Sequence, residues 1–175
     1  MLCAVVVLSA FTASAPSPML PATAWKIDKG FEVKFMNPKA EGFFKELKGD
    51  IVFDADALAA SKFSVTLPTE SISTGNGMKN SHAKSGDWFD AKKYSSISFV
   101  STEIAKSGAD YVAKGNLTMH GVTKPITIAF SFKSNGKTGL FAGNFSVKYR
   151  EYGIKGKGGS DDDTVKIELK VPVVQ

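Results

Sequence analysis

The sequence predicts an all-β fold: an eight-stranded antiparallel up-and-down barrel with a short helical connector that closes one end. Two observations predict this fold. Apolar and polar residues alternate along most of the chain, as in Val-Lys-Ile-Glu-Leu at residues 165–169, which is typical of strands with one buried face. The alternating segments are separated by short turns, and short turns make neighbouring strands antiparallel. Eight such strands in succession close naturally into a barrel.

Eight segments show this alternation. They lie near residues 25–36, 42–54, 62–68, 95–104, 110–119, 124–134, 138–149 and 163–173. Pairs of turn-forming residues stand between several of them, at Asn37-Pro38, Ser107-Gly108, His120-Gly121 and Asn135-Gly136. Each pair predicts a tight reversal, so consecutive segments are expected to be neighbours in the sheet.

The connection between residues 69 and 94 is too long for a hairpin. Within it, the segment from Met78 to Lys84 predicts two helical turns, which the sequence Asp-Trp-Phe-Asp follows at residues 87–90. We expect this connector to lie across one end of the barrel.

The first 24 residues differ in composition from the rest of the 175-residue chain. All 39 charged residues follow Ala24. The apolar run at residues 1–11, with the small residues Ala22-Thr23-Ala24 after it, is typical of a secretory signal peptide. We therefore expect residues 1–24 to be a signal peptide and residues 25–175 to form one domain. The mature protein is expected in the periplasm, or secreted.

Charge and composition argue against several kinds of partner. The basic residues are 21 lysines and one arginine, Arg150, and the lysines are spread singly along the alternating segments. Nucleic-acid binders usually concentrate Lys and Arg in one stripe, so nucleic acid is not an expected partner. No long apolar run follows Trp25, so stable membrane insertion is not expected either.

Few side chains are suited to catalysis. The only cysteine, Cys3, belongs to the predicted signal peptide, which leaves the mature chain without a thiol. The two histidines, His82 and His120, could then form a metal site only with carboxylates, and no metal-binding histidine pair occurs. A hydrolase triad is not predicted, because the chain has no nucleophile elbow of the form G-x-S-x-G. We expect no catalytic residue, no metal and no cofactor.

Arg150 ends the seventh predicted strand. As the only guanidinium of the chain, it is the only group that offers bidentate recognition of a phosphate or carboxylate. The same geometry suits a structural ion pair with Asp87 or Glu151. Both interpretations remain open from the sequence.

The alternation also predicts which residues face the barrel interior. Small residues on this face leave space, and aromatic residues make that space apolar. An eight-stranded barrel lies at the boundary between a core filled by its own side chains and one that holds a single small ligand. The residues on this face that are predicted to bind an apolar ligand are Phe35, Phe53, Ile97, Phe99, Gly115, Leu117, Ile128, Phe130 and Phe145.

Several motifs resemble those of the YceI-like family. The most specific is Leu-Thr-Met-His-Gly-Val-Thr-Lys-Pro at residues 117–125. Two others agree with it: Ser-Gly-Asp-Trp-Phe-Asp at residues 85–90, behind His82, and Arg-Glu-Tyr-Gly-Ile at residues 150–154. The resemblance covers essentially the whole chain after residue 24.

The resemblance implies a lipocalin-like barrel exported to the bacterial periplasm. It also implies an elongated apolar cavity that holds a polyisoprenoid chain in some members, such as an isoprenoid quinone or polyprenyl phosphate, in a family not generally regarded as enzymes. His82, Asp87, Trp88 and Arg150 complete the expected ligand-binding set at the barrel end. The chain departs from the family in its short hairpin at residues 37–42, which predicts a smaller cavity.

Three functions follow from this reasoning. The first is a periplasmic binding protein, monomeric or homodimeric, that holds a lipid or isoprenoid for transport, storage or sequestration. The second is an enzyme that acts on a small ligand at the barrel mouth through His82, Asp87 and Arg150. The third is a filled barrel that serves in a stress response or in protein interactions.

Overall fold

The computed structural model describes residues 22–38, 40–156 and 163–175. Residues 1–21, most of the predicted signal peptide, lie outside this part of the chain. Within the described ranges, no helix is long and apolar enough to cross a bilayer. The described elements in chain order are strands β1 (Ala24–Ile27), β2 (Glu32–Asn37), β3 (Ala40–Phe44), β4 (Lys48–Val52), β5 (Lys62–Pro68) and β6 (Ile72–Ser73), helix α1 (Gly77–Lys84), and strands β7 (Ser96–Ser107), β8 (Asp110–Met119), β9 (Val122–Ser134), β10 (Thr138–Lys148) and β11 (Thr164–Val174).

These strands form one closed antiparallel sheet with eight positions around the barrel. β1 and β2 share one position and β3 and β4 share the next, while β5 and β7 to β11 fill the other six in chain order. β11 pairs with both β1 and β2, which closes the barrel. The two-residue β6 pairs with the end of β3. The predicted eight-stranded antiparallel barrel with one short helix is confirmed.

The first two predicted strands are each broken in two, a division that the alternating pattern did not indicate. The first break lies at Gly30, which adopts a left-handed φ of +84°. The second lies between Phe44 and Lys48, where the Lys45 amide donates to the Ser71 carbonyl at 2.9 Å. Strands in a small closed barrel must bend strongly, and the two breaks supply this bend.

The turns predicted at residues 107–108, 120–121 and 135–136 all connect hairpins. His120 (φ +52°) and Gly121 (φ +77°) both have positive φ, as a type I′ turn requires. At the next turn, Asn135 Oδ1 accepts hydrogen bonds from the Thr138 hydroxyl at 2.6 Å and from its amide at 3.3 Å. β7 to β10 are consequently consecutive neighbours in the sheet.

Packed aromatic rings close one end of the barrel. This aromatic floor is centred on Phe53, which is only 1% exposed and whose ring centroid lies 4.9–6.1 Å from five others. Most of these ring pairs meet edge to face, a favoured arrangement. Trp25 anchors β1 here, since its indole Nε1 donates to the Phe53 carbonyl at 2.9 Å. The five rings around Phe53 are those of Phe63, Tyr111, Phe130, Phe132 and Phe141.

The helix α1 lies at the opposite end, together with the β2–β3 and β8–β9 turns. It begins after Asn76, whose side chain caps it by accepting from the Lys79 amide at 3.1 Å. Asn80 Oδ1 accepts from the amide and hydroxyl of Thr74 at 2.6 and 2.9 Å, which fixes the helix to the chain after β6. No α1 residue is fully buried, and the helix packs against the core from this end through Ala83. The predicted helical connector is confirmed.

Candidate functional site

The barrel contains a cavity of about 620 Å³ between the aromatic floor and α1. This volume falls within the range of about 300–1,000 Å³ that small-molecule sites occupy. The barrel is therefore not filled by its own side chains, which counts against a function that requires a filled barrel.

Strand alternation determines the lining of the cavity. Along β11 and β10, the apolar residues of one phase face the cavity, and the lysine, glutamate, asparagine and serine residues between them are exposed. Most of the remaining lining comes from the matching phase of the other strands. The lining residues of this phase on β11 are Val165, Ile167, Leu169 and Val171, and those on β10 are Phe141, Gly143, Phe145 and Val147.

The lining is long in the direction of the strands. The distance from Val165 to Val171 spans six residues of β11, or about 20 Å at roughly 3.3 Å per residue. Strands of small barrels tilt by roughly 35–45°, so the depth along the barrel axis is about 15 Å. The cavity is thus shaped for an elongated chain.

Nine of the thirteen residues predicted to bind a ligand line this cavity. Two of them, His82 and Trp88, come from the connector, and the others come from strands. The nine are Phe35, His82, Trp88, Ile97, Phe99, Leu117, Ile128, Phe130 and Phe145.

Phe53 and Gly115 are buried but do not line the cavity. Phe53 lies in the aromatic floor. A Cβ atom on Gly115 would contact the Val100 carbonyl oxygen and lie 2.7 Å from the Ser101 Cα, both on β7. This glycine therefore allows β7 and β8 to approach closely beside a β-bulge, and it adds no space for a ligand.

Asp87 and Arg150 lie near the mouth but outside the lining. Asp87 is exposed to solvent. The chain leaves β10 through a 3₁₀ turn at residues 149–152. The Arg150 guanidinium lies 5.9 Å from the Tyr149 ring centroid.

A row of rings joins the connector to the barrel wall. The Trp88 ring lies 5.9 Å from the His82 ring and 5.8 Å from the Tyr149 ring. His120 Nδ1 lies 3.2 Å from the Tyr152 carbonyl oxygen, which links the β8–β9 turn to the same wall. Burial, and secondarily the Glu151 carboxylate, raises the pKa of the Tyr152 phenol above its ordinary value. This phenol therefore stays protonated at neutral pH.

Beside α1, at the surface, lies a polar pocket of about 290 Å³, here called the vestibule. Four residues line both the cavity and the vestibule, so the two spaces are adjacent. Among the described residues, Lys79 is the only Lys, Arg, Asp or Glu in the cavity lining, and Glu41 is the only acidic residue in the vestibule lining. The four shared residues are Asn37, Ala40, Thr74 and Lys79.

The sequence placed a ligand-binding group at the connector end, and His82 and Trp88 of that group line the cavity there, but it did not identify the other residues of this mouth. Met78 and Lys79 lie where the sequence predicts a helix, but two helical turns are too short to give a periodic signal that shows which side chains reach a cavity. Asn37 and Ala40 belong to the short hairpin, whose position beside α1 depends on the closure of the barrel.

Within the described ranges, no three His, Cys, Asp or Glu side chains form a group able to hold a metal ion.

The family model described as the YceI-like domain matches residues 24–173. A UPF0312 protein of Pseudomonas putida (strain GB-1) is 32% identical over 169 residues, which cover 88% of each chain. Protein YceI of Escherichia coli O17:K52:H18 (strain UMN026 / ExPEC) is 31% identical over 168 residues with the same coverage.

Solved structures share this fold. BcnA of Burkholderia cenocepacia matches with a TM-score of 0.78 and 28% identity, over 84% of this chain and 99% of that chain. A polyisoprenoid binding domain from Saccharophagus degradans, implicated in plant cell wall breakdown, matches with a TM-score of 0.60 and 13% identity, over 87% of this chain and 95% of that chain. At 13% identity, the second likeness shows the fold alone.

Proposed function

Because the chain belongs to the YceI-like family, we propose that it binds a long apolar molecule, an isoprenoid or another lipid, inside its barrel. The observation that carries this proposal is the 620 Å³ cavity, which has an aromatic floor, an apolar wall and one open end. The polyisoprenoid binding domain of the same fold supports the ligand class. Such a protein transports, stores or sequesters its ligand.

Burial of the ligand supplies the binding energy. At about 25 cal/mol per Å², an apolar chain that buries roughly 400 Å² gains about 10 kcal/mol before the costs of ordering. The polar vestibule above the apolar cavity suits a ligand with a polar head and a long tail. Isoprenoid quinones and polyprenyl phosphates both have this form.

Binding is better supported than the alternative of catalysis at the barrel mouth. That alternative requires His82, Asp87 and Arg150 to act together. Of these three residues, only His82 reaches the cavity, and Asp87 is exposed outside it.

The bound molecule can be identified directly. The protein is purified without detergent from its native host, extracted with organic solvent, and the extract is examined by mass spectrometry. We expect a lipid in a molar amount close to that of the barrel. A barrel that yields no lipid and takes up none from isoprenoid-loaded vesicles would contradict the proposal.

We also propose that the protein is exported and acts in the periplasm. The uncharged apolar segment before Trp25 supports this location. N-terminal sequencing of the protein from fractionated cells is expected to find Trp25 as the first residue, in the periplasmic fraction. An intact Met1 on a cytoplasmic product would overturn the assignment.

A further inference from the structure

Exposed apolar side chains gather around the mouth of the cavity. The described residues include five large apolar side chains that are exposed, and three of them lie on the three elements that flank the vestibule: Met36 on β2, Phe43 on β3 and Met78 on α1. Met78 is the most exposed of the five, at 84%, although it also lines the cavity. We call Met36, Phe43 and Met78 the apolar rim.

The strand register places two rim residues side by side. Lys34 pairs with Phe43 and Met36 pairs with Glu41, so Met36 and Phe43 are diagonal neighbours on one face. They face outward, because each alternates with a ring that lines the cavity, Phe35 on β2 and Phe44 on β3. Phe43 also pairs with Ser73, directly before the vestibule residue Thr74. The rim therefore continues from the outer wall to the mouth.

The charges around the rim favour an anionic surface. Lys79 follows Met78 on α1, and the exposed Lys166 pairs with Met36 across β2 and β11. On the acidic side, Glu41 lines the vestibule, and Glu32 is held by Lys34 in an ion pair of 2.8 Å. Glu168 and Lys170 lie beside Lys166 on the same face of β11, so Lys34, Lys79, Lys166 and Lys170 stand against the three carboxylates of Glu32, Glu41 and Glu168.

We propose that the apolar rim, with Lys79 and Lys166, docks the protein onto the surface of an anionic phospholipid membrane. This inference rests on the proposed function. A long apolar ligand does not cross water readily, so a mouth that touches a bilayer lets the ligand pass between membrane and cavity. Exposed apolar side chains interspersed with lysines are the pattern of interfacial membrane binding. The continuity of the rim with the cavity selects a membrane over a protein partner as its occupant.

The apolar side chains and the lysines contribute separately to membrane binding, and each contribution sets the size of an expected effect. A buried Met side chain contributes enough to weaken membrane partitioning about tenfold when it is replaced by serine. Each lysine near an anionic surface contributes about a fivefold effect, which salt reduces.

The test is a flotation assay with two kinds of phosphatidylcholine vesicles. One kind contains about 30% phosphatidylglycerol, an anionic lipid, and the other contains none. The wild-type protein is expected to float with the anionic vesicles and to be released at high salt. Met78→Ser and Lys79→Gln are expected to weaken flotation by about tenfold and fivefold. Leu140→Ser is the matched control, since Leu140 is 40% exposed on β10 beside the turn at the floor end, and it is expected to float as the wild type does.

Three outcomes overturn the docking proposal. The wild-type protein does not float with the vesicles, or Met78→Ser and Leu140→Ser lose flotation equally. In the third outcome, the protein associates with itself through the rim and does not bind vesicles. Thermal denaturation of each variant separates a docking defect from misfolding. Lipid extracted from the same preparations separates this proposal from the proposed function. If the wild type does not float but its barrel contains lipid, the rim has no docking role and ligand binding stands.

Discussion

Phe53 and Phe145, which the sequence assigns to the same ligand-binding set, play different parts. Phe53 is packed on several sides by rings of the aromatic floor, whereas Phe145 is only half-buried and lines the open cavity. Removing a fully packed ring leaves a void that the surroundings do not refill, while a residue beside an existing cavity leaves no new void. Alternation gives the face of a side chain but not its depth along the barrel axis, so the sequence could not separate these two roles.

We therefore expect Phe53→Ala to lower the free energy of unfolding by about 3–5 kcal/mol. Phe145→Ala is expected to lower it by only about 1–2 kcal/mol and to reduce lipid retention instead. Urea denaturation and lipid extraction of both variants check the pair. Equal destabilisation by the two substitutions would contradict the assignment of Phe53 to the floor and of Phe145 to the wall.

The cavity can be filled from its wall without distortion of the backbone. Gly115→Leu does not achieve this, because its Cβ would meet the backbone of β7. Val165 is a better position, since it is half-buried, lines the cavity and pairs with Val147 on the neighbouring strand. We expect Val165→Phe to leave the barrel folded and to reduce ligand uptake at least tenfold, measured by titration with an isoprenoid. Val100→Phe, outside the lining on β7, serves as its control, and equal uptake by the two variants would show that Val165 does not limit the available space.

At the scale of elements, α1 is held by polar contacts together with the packing of Ala83 against the core. Asn80 bonds twice to Thr74, and Lys84 pairs with Glu70 at 3.1 Å. Because no α1 side chain is fully buried, these contacts account for much of its attachment to the barrel. Regions with few buried apolar contacts open with small free energies, so α1 belongs to the least stable part of the fold.

Asn80→Ala is expected to loosen this helix while the barrel keeps its stability. Loss of the hydrogen bonds costs about 1–2 kcal/mol locally. Amide hydrogen exchange at residues 77–84 should speed up by about tenfold, and bound lipid should exchange faster with vesicles. Ser81→Ala is the control, since that hydroxyl donates only to the Gly77 carbonyl within the helix. Unchanged exchange in Asn80→Ala would show that α1 is held by other contacts.

The elements that the sequence predicts well are those with a local cause. Hairpins at residues 107–108, 120–121 and 135–136 follow from residues that tolerate positive φ or cap a turn, and the alternating strands follow from one buried face. The breaks at Gly30 and after Phe44 have a global cause. They arise from the curvature of a closed barrel, which no local pattern in either segment specifies.

At the scale of the whole molecule, the two ends of the barrel differ in kind. One end is closed by aromatic rings and anchored by Trp25, and the other is covered by a helix over the cavity and the adjacent vestibule. The chain therefore has a rigid end and an open end. This polarity depends on where distant segments meet, so the sequence predicted an apolar interior and a ligand site at the connector end, but not the hairpin residues that line its mouth.

An open cavity has a consequence for the stability of the whole barrel. A ligand that binds only the folded state stabilises it by about 2.7 kcal/mol when its free concentration is a hundred times the dissociation constant. For a domain of this size, roughly 1 kcal/mol shifts Tm by about 2–4 °C. Removal of the lipid is therefore expected to lower Tm by about 5–11 °C. Scanning calorimetry of lipid-extracted and lipid-reloaded protein measures this shift in Tm. In the Val165→Phe variant, reloading with lipid should restore much less of the lost Tm. Identical melting of the extracted and reloaded wild type would mean that the cavity does not hold the added lipid, since a ligand that fills it cannot bind the unfolded chain equally well.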